Sequence, residues 1–135
     1  MNTWEKIEGT PYPLGATWLD DDAAFNFSLY SKHAETVRLL LFSASDVVHP
    51  VFEYTLDYLK NKSGPVWHCR VSKSDAADAI YYAYRVDGPP PQPGYDWHSF
   101  DFEKVLLDPC AQSVYFPDDF SRDAARRPGS NAGQA

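Results

Sequence analysis

The chain has 135 residues, a formal net charge of −7 and only two cysteines. That length fits one domain, since domains most often run to about 100–150 residues, and it suffices to bury a core without disulfide or metal support. The acidic balance, with no basic stripe among its Lys and Arg residues, excludes nucleic acid as a partner, because phosphate binding needs clustered cations.

In chain order, Met1 to Glu8 carry no apolar leader, and no later stretch approaches the roughly 20 apolar residues of a membrane span. The expectation is a soluble, cytoplasmic protein with no membrane partner. Phe25, Phe27 and Leu29 alternate with Asn26, Ser28 and Tyr30, which predicts a half-buried strand. Val37, Leu39 and Leu41 repeat the pattern against Thr36, Arg38, Leu40 and Phe42. That second face is too apolar for a solvated one, so it is expected to meet another domain and to form an open apolar patch in the chain alone. Phe52, Tyr54 and Leu56, then Trp67, Cys69 and Val71, mark two further strands.

Breaker clusters at Ser43 to Asp46, Asn61 to Pro65 and Ser72 to Asp78 separate these runs, the last with a helical turn around Asp75 to Ala79. Ile80, Tyr82, Tyr84 and Val86 then point to a core while Tyr81, Ala83, Arg85 and Asp87 point away. Gly88 and Pro89 to Pro91 stop that strand. Gly94 to Phe102 is aromatic without a period, and Lys104 to Pro109 reads as a short strand closed by Asp-Pro. The regular recurrence of strands predicts an all-β fold, an immunoglobulin-like β-sandwich of two antiparallel sheets with about seven strands. Residues 1–117 are expected to form this module and 118–135, poor in apolar residues, a flexible linker.

Five blocks in order carry a resemblance: Gly9 to Thr17, Phe25 to Ser31, Val66-Trp67-His68, Tyr82 to Pro89, and Lys104 to Pro109. From about Gly9 to Val114 the chain resembles the N-terminal domain of the isoamylase and glycogen-debranching family, classed with carbohydrate-binding module family 48. The resemblance implies a non-catalytic accessory module of an α-1,6-glucosidic debranching hydrolase. Such a module packs on the catalytic (β/α)8 barrel of the same parent chain and helps shape the α-glucan cleft. It also allows an autonomous glycogen- or starch-binding module with stacking aromatics. The barrel needs roughly 250 residues, so the parent rather than this chain is expected to be the enzyme. Where the family has Asp-Pro-Tyr-Ala, this chain has Asp108-Pro109-Cys110-Ala111, and Tyr115 or Phe116 is left to take the place of the missing ring.

Retaining glycoside hydrolysis requires two carboxylates about 5–5.5 Å apart. Asp20-Asp21-Asp22, Asp118-Asp119 and Asp108 predict no such pair, since turn carboxylates point to water and adjacent strand residues to opposite faces. No catalytic residue is assigned. His33, His49, His68 and His98 lack ligand spacing, so no metal or cofactor is expected. Cys69 and Cys110 read as reduced thiols packed as small apolar residues. Trp67 shares the face of Cys69 and Val71 and belongs to the core. Tyr81, Tyr95 and Trp97 are the candidates for stacking on a sugar or for packing against the next domain.

Overall fold

A computed structural model describes residues 8–19, 23–46, 48–76, 79–88, 102 and 104–111. Within them run seven strands: β1 (Gly15–Leu19), β2 (Ala24–Tyr30), β3 (Thr36–Ser43), β4 (Phe52–Thr55), β5 (Lys62–Ser63), β6 (Val66–Ser72) and β7 (Ala79–Asp87). One helical turn, α1 (Lys73–Ala76), follows β6, with the Ser72 hydroxyl accepting from the Asp75 N–H at its start. The strands form two antiparallel sheets of order β1-β2-β6-β5 and β4-β3-β7. This is the immunoglobulin-like sandwich expected from the alternation. No helix among the described residues is long and apolar enough to cross a membrane.

The inner faces meet as the pleat dictates. Phe27 and Leu29 of β2, Trp67, Cys69 and Val71 of β6, Val37, Leu39 and Leu41 of β3, and Tyr84 and Val86 of β7 make one buried cluster. Each sheet also has its outer face covered, which alternation alone does not reveal. Over the first sheet lies a strap of residues 8–11, held by side chains that point away from the core. Asn26 accepts from the Thr10 N–H (2.7 Å) and donates to the Thr10 carbonyl (3.0 Å), and the Ser28 hydroxyl donates to the Pro11 carbonyl. Asn26, Ser28 and His68 are therefore buried polar residues with partners, as burial requires.

Over the second sheet lies the C-terminal segment. Val105 packs on Leu40, Phe42 and Ala83, and Leu106 exchanges both backbone hydrogen bonds with Tyr84. The Arg38 guanidinium sits 5.1 Å over the Phe102 ring and donates to the Thr55 hydroxyl. This corrects two expectations. Leu40 (0 % exposed) and Phe42 (5 %) form no open patch, because the chain covers them itself. Lys104 to Pro109 makes a single bridge to β7 instead of a strand. The two cysteines are free, Cys69 in the core as expected but Cys110 at the surface.

Candidate functional site

β1 and β7 are the outermost strands of the two sheets on one side of the sandwich. Between them opens a groove of about 420 Å³ whose lining includes Ala16, Phe25, Phe27, Ile80, Tyr81 and Tyr82. A ladder of rings runs through it, with centroid separations of 4.8 Å for Trp18–Phe25, 6.3 Å for Phe25–Phe27 and 5.2 Å for Phe27–Tyr82. The lining is almost wholly apolar. A surface of that kind holds an apolar side chain better than a sugar, whose hydroxyls need converging donors and acceptors.

The groove owes its mouth to a bulge. Leu39, Leu40, Leu41 and Phe42 pair in step with Tyr84, Ala83, Tyr82 and Tyr81, but Ser43 then pairs with Ala79 and skips Ile80. One extra residue on β7 turns the alternation over. Ile80, expected in the core, is instead 61 % exposed at the rim of the groove. Tyr81 lies half-buried between the groove and the Leu40–Phe42–Val105 cluster. Tyr95 and Trp97 lie outside the described residues, as do Asp20 to Asp22 and Asp118-Asp119.

Along the rim runs the C-terminal segment. The Tyr82 hydroxyl donates to the Asp108 carboxylate at 2.6 Å, and the same carboxylate accepts from the Cys110 N–H at 2.8 Å. Asp108 is thus buried and partnered, where the sequence suggested a solvated turn residue. Across the groove, a Cβ placed on Gly15 would meet the Cys110 carbonyl oxygen at 3.0 Å, so the segment presses on β1 as closely as glycine permits. His68 serves the strap. Its Nδ1 lies 2.6 Å from the Glu8 carbonyl, which can only accept, so Nδ1 donates to it, and Nε2 is hydrogen-bonded to the Ser63 hydroxyl at 2.8 Å. Among the described residues there is no group of three or more His, Cys, Asp and Glu side chains able to hold a metal ion.

A two-sheet sandwich with a self-covered edge matches a described family. The family model for carbohydrate-binding module 48 (isoamylase N-terminal domain) matches residues 13–111. The chain belongs to this family. Among solved structures, the module is similar to the catalytic module of the multi-modular glycogen-degrading pneumococcal virulence factor SpuA. Identity is 16 %, the TM-score is 0.56, and coverage is 91 % of this chain and 16 % of that one. It is similar also to the Group B Streptococcus pullulanase SAP, at 17 % identity and TM-score 0.59, covering 98 % of this chain and 15 % of that one. The structure of that pullulanase with maltotetraose matches at 17 % identity and TM-score 0.58, over 88 % and 14 % of the two chains. At such identity the likeness is one of fold, and the module spans only about a sixth of each of these proteins.

The core of the module also sets its response to alkali. Burial pushes the Cys69 thiol up from 9.0 to about 12. Burial likewise raises the Tyr84 phenol well above 10.0, and burial followed by the Asp108 hydrogen bond raises Tyr82. A group whose pKa is higher folded than unfolded stabilises the fold fully below the unfolded value and loses that contribution as pH climbs toward the folded one. Stability is therefore expected to fall from about pH 9 for the thiol and pH 10 for the phenols, by about 1.4 kcal/mol per pH unit for each fully buried group. Urea midpoints from pH 8 to 11 measure this. In Cys69→Ala the decline should begin about one pH unit later, on the ordinary values of thiol and phenol. An unchanged onset would contradict the assignment to Cys69.

Nothing in the sequence pointed to Ile80 or Asp108 as rim residues. A bulge and a partner 26 residues away leave no local signature.

Proposed function

We propose that this module is the non-catalytic N-terminal accessory domain of a glycogen-debranching, isoamylase-type α-1,6-glucosidic hydrolase. It packs on the catalytic barrel of the parent protein and helps shape its α-glucan cleft. Residues 118–135 lead from the sandwich toward that barrel. The observation that carries this reading is the family match over residues 13–111, combined with the small share of each matched enzyme that the module spans. The apolar character of the Tyr81 surface supports packing over sugar recognition, since stacking rings that bind glycan need open faces beside polar groups. Two free thiols fit a reducing, cytoplasmic setting.

An alternative reading, autonomous glycogen or starch binding, is favoured by the exposure of Tyr12 (69 %), Tyr58 (65 %) and Tyr30 (55 %). Affinity electrophoresis in a glycogen gel separates the two. The chain is expected to migrate unretarded and to release no reducing ends from glycogen. Clear retardation that disappears in Trp97→Ala would replace the accessory reading with the binding one.

A further inference from the structure

The hydrogen-bond phase of the second sheet follows from its cover. Tyr84 exchanges both backbone hydrogen bonds with Leu106, on the side of β7 away from β3. Backbone groups of successive strand residues point to alternate sides, so Ala83 and Arg85 bond to Leu40 and Arg38 of β3, and Leu39 and Leu41 bond to Tyr54 and Phe52 of β4. The Leu56 N–H, which donates to the Val37 carbonyl, keeps the same phase. Glu53 and Thr55 therefore aim their N–H and C=O groups away from the sandwich. β4 is the last strand of its sheet, both residues are exposed, and no backbone partner meets them among the described residues.

We propose that this edge pairs with a second copy of the chain, β4 against β4, antiparallel and in register about Tyr54. The edge is complementary to itself. With Glu53 opposite Thr55 of the other copy, every outward backbone group of the two residues finds a partner, and Tyr54 meets its own counterpart in the closer, non-hydrogen-bonded type of pair. Half-buried Phe52 then faces Leu56 of the other copy. On the outer face the Arg38 guanidinium already reaches Thr55, its Nε donating to the hydroxyl at 3.0 Å. A cation thus stands beside the position that Glu53 of the other copy takes, and two-fold symmetry repeats the match. The acid that would otherwise guard the edge against pairing is neutralised. The same register sets the exposed Val48 and Val51, before β4, alongside the exposed Tyr58 and Leu59 that follow it in the other copy. Apolar flanks cover one another at both ends, and the two three-stranded sheets join into one. An unrelated strand would have to supply an acid and apolar flanks at those spacings, whereas a second copy supplies them by symmetry alone.

Sedimentation velocity of the full chain over a concentration series up to about 1 mM tests this. A reversible monomer–dimer equilibrium is expected, with Kd on the order of 0.1–1 mM, since the pairing is smaller than a standard interface. Thr55→Pro removes an outward N–H that the fold does not use, and Glu53→Lys sets like charge beside Arg38 of the other copy. Each should weaken the dimer by about tenfold or more while the dilute protein melts within a few degrees of the parent. If Thr55→Pro fails to fold, Glu53→Lys decides. Tyr54→Cys in a Cys110→Ser background should form a disulfide-linked dimer under mild oxidation, and Lys60→Cys in that background, whose counterpart lies far along the register, should not. A chain that stays monomeric throughout, a dimer that Glu53→Lys leaves intact, or the absence of the Tyr54→Cys cross-link would overturn the proposal. So would a dimer lost in Ile80→Asp but kept in Glu53→Lys, which would place the contact at the groove between β1 and β7.

Discussion

Trp67→Ala is expected to cost the module about 3–5 kcal/mol, the usual penalty for truncating a large buried aromatic. Trp67 stands in β6, in the interior of its sheet, and is 1 % exposed among Leu29, Leu39 and the other core residues. The Lys62 ammonium lies 5.0 Å from its ring and closes the last side. Since whole-domain stabilities run to about 5–15 kcal/mol, this one change should lower the melting temperature by roughly 10–20 °C. Trp67→Phe should retain most of that stability. It keeps a ring in the space and removes the indole N–H, which is buried with no hydrogen-bond partner among the described residues. Thermal melts of both variants decide the point. A Trp67→Ala protein that melts like the parent would show that the ring is a surface platform and not core.

Gly9→Ala is the second large effect, and its cause is steric. Gly9 has φ +69°, and a Cβ there would lie 2.5 Å from the Asn26 side-chain oxygen and 2.6 Å from the Cys69 carbonyl carbon. The backbone of a central strand cannot yield that space, so the strap must lift. Lifting it strands Asn26, Ser28 and His68, whose partners are the carbonyls of Thr10, Pro11 and Glu8. We expect a loss of about 2–4 kcal/mol, combining left-handed strain in a residue with a Cβ and the orphaned polar groups. Urea denaturation measures it, and limited proteolysis should cut the variant first near Glu8. An unshifted midpoint would mean that the strap contributes nothing to the fold.

The face that Tyr81 occupies was legible: it packs on the side of β7 opposite Tyr82 and Tyr84, as alternation predicts, since strand alternation is local. Its role was not legible, because whether an outer face meets solvent depends on a segment some 20 residues downstream. The same is true of Leu40 and Phe42. Their apolar character announced a cover, and the cover proved to be Val105 of the same chain. Ile80 was misplaced because a bulge is a mismatch between two strands and has no mark on either one alone.

The sequence by itself determined β2, β3, β4, β6 and β7, most of their inner faces and the family resemblance, because period-two patterning and ordered motif blocks are local properties of the chain. Only the tertiary structure decided how the outer faces and free edges are covered. The strap of residues 8–11 lies over one sheet, the 102–111 segment lies over the other, and an apolar groove remains between β1 and β7. The strap's contacts join residues 16 to 60 positions apart and those of the 102–111 segment reach farther still, so their favourable energy exists only after both sheets have formed.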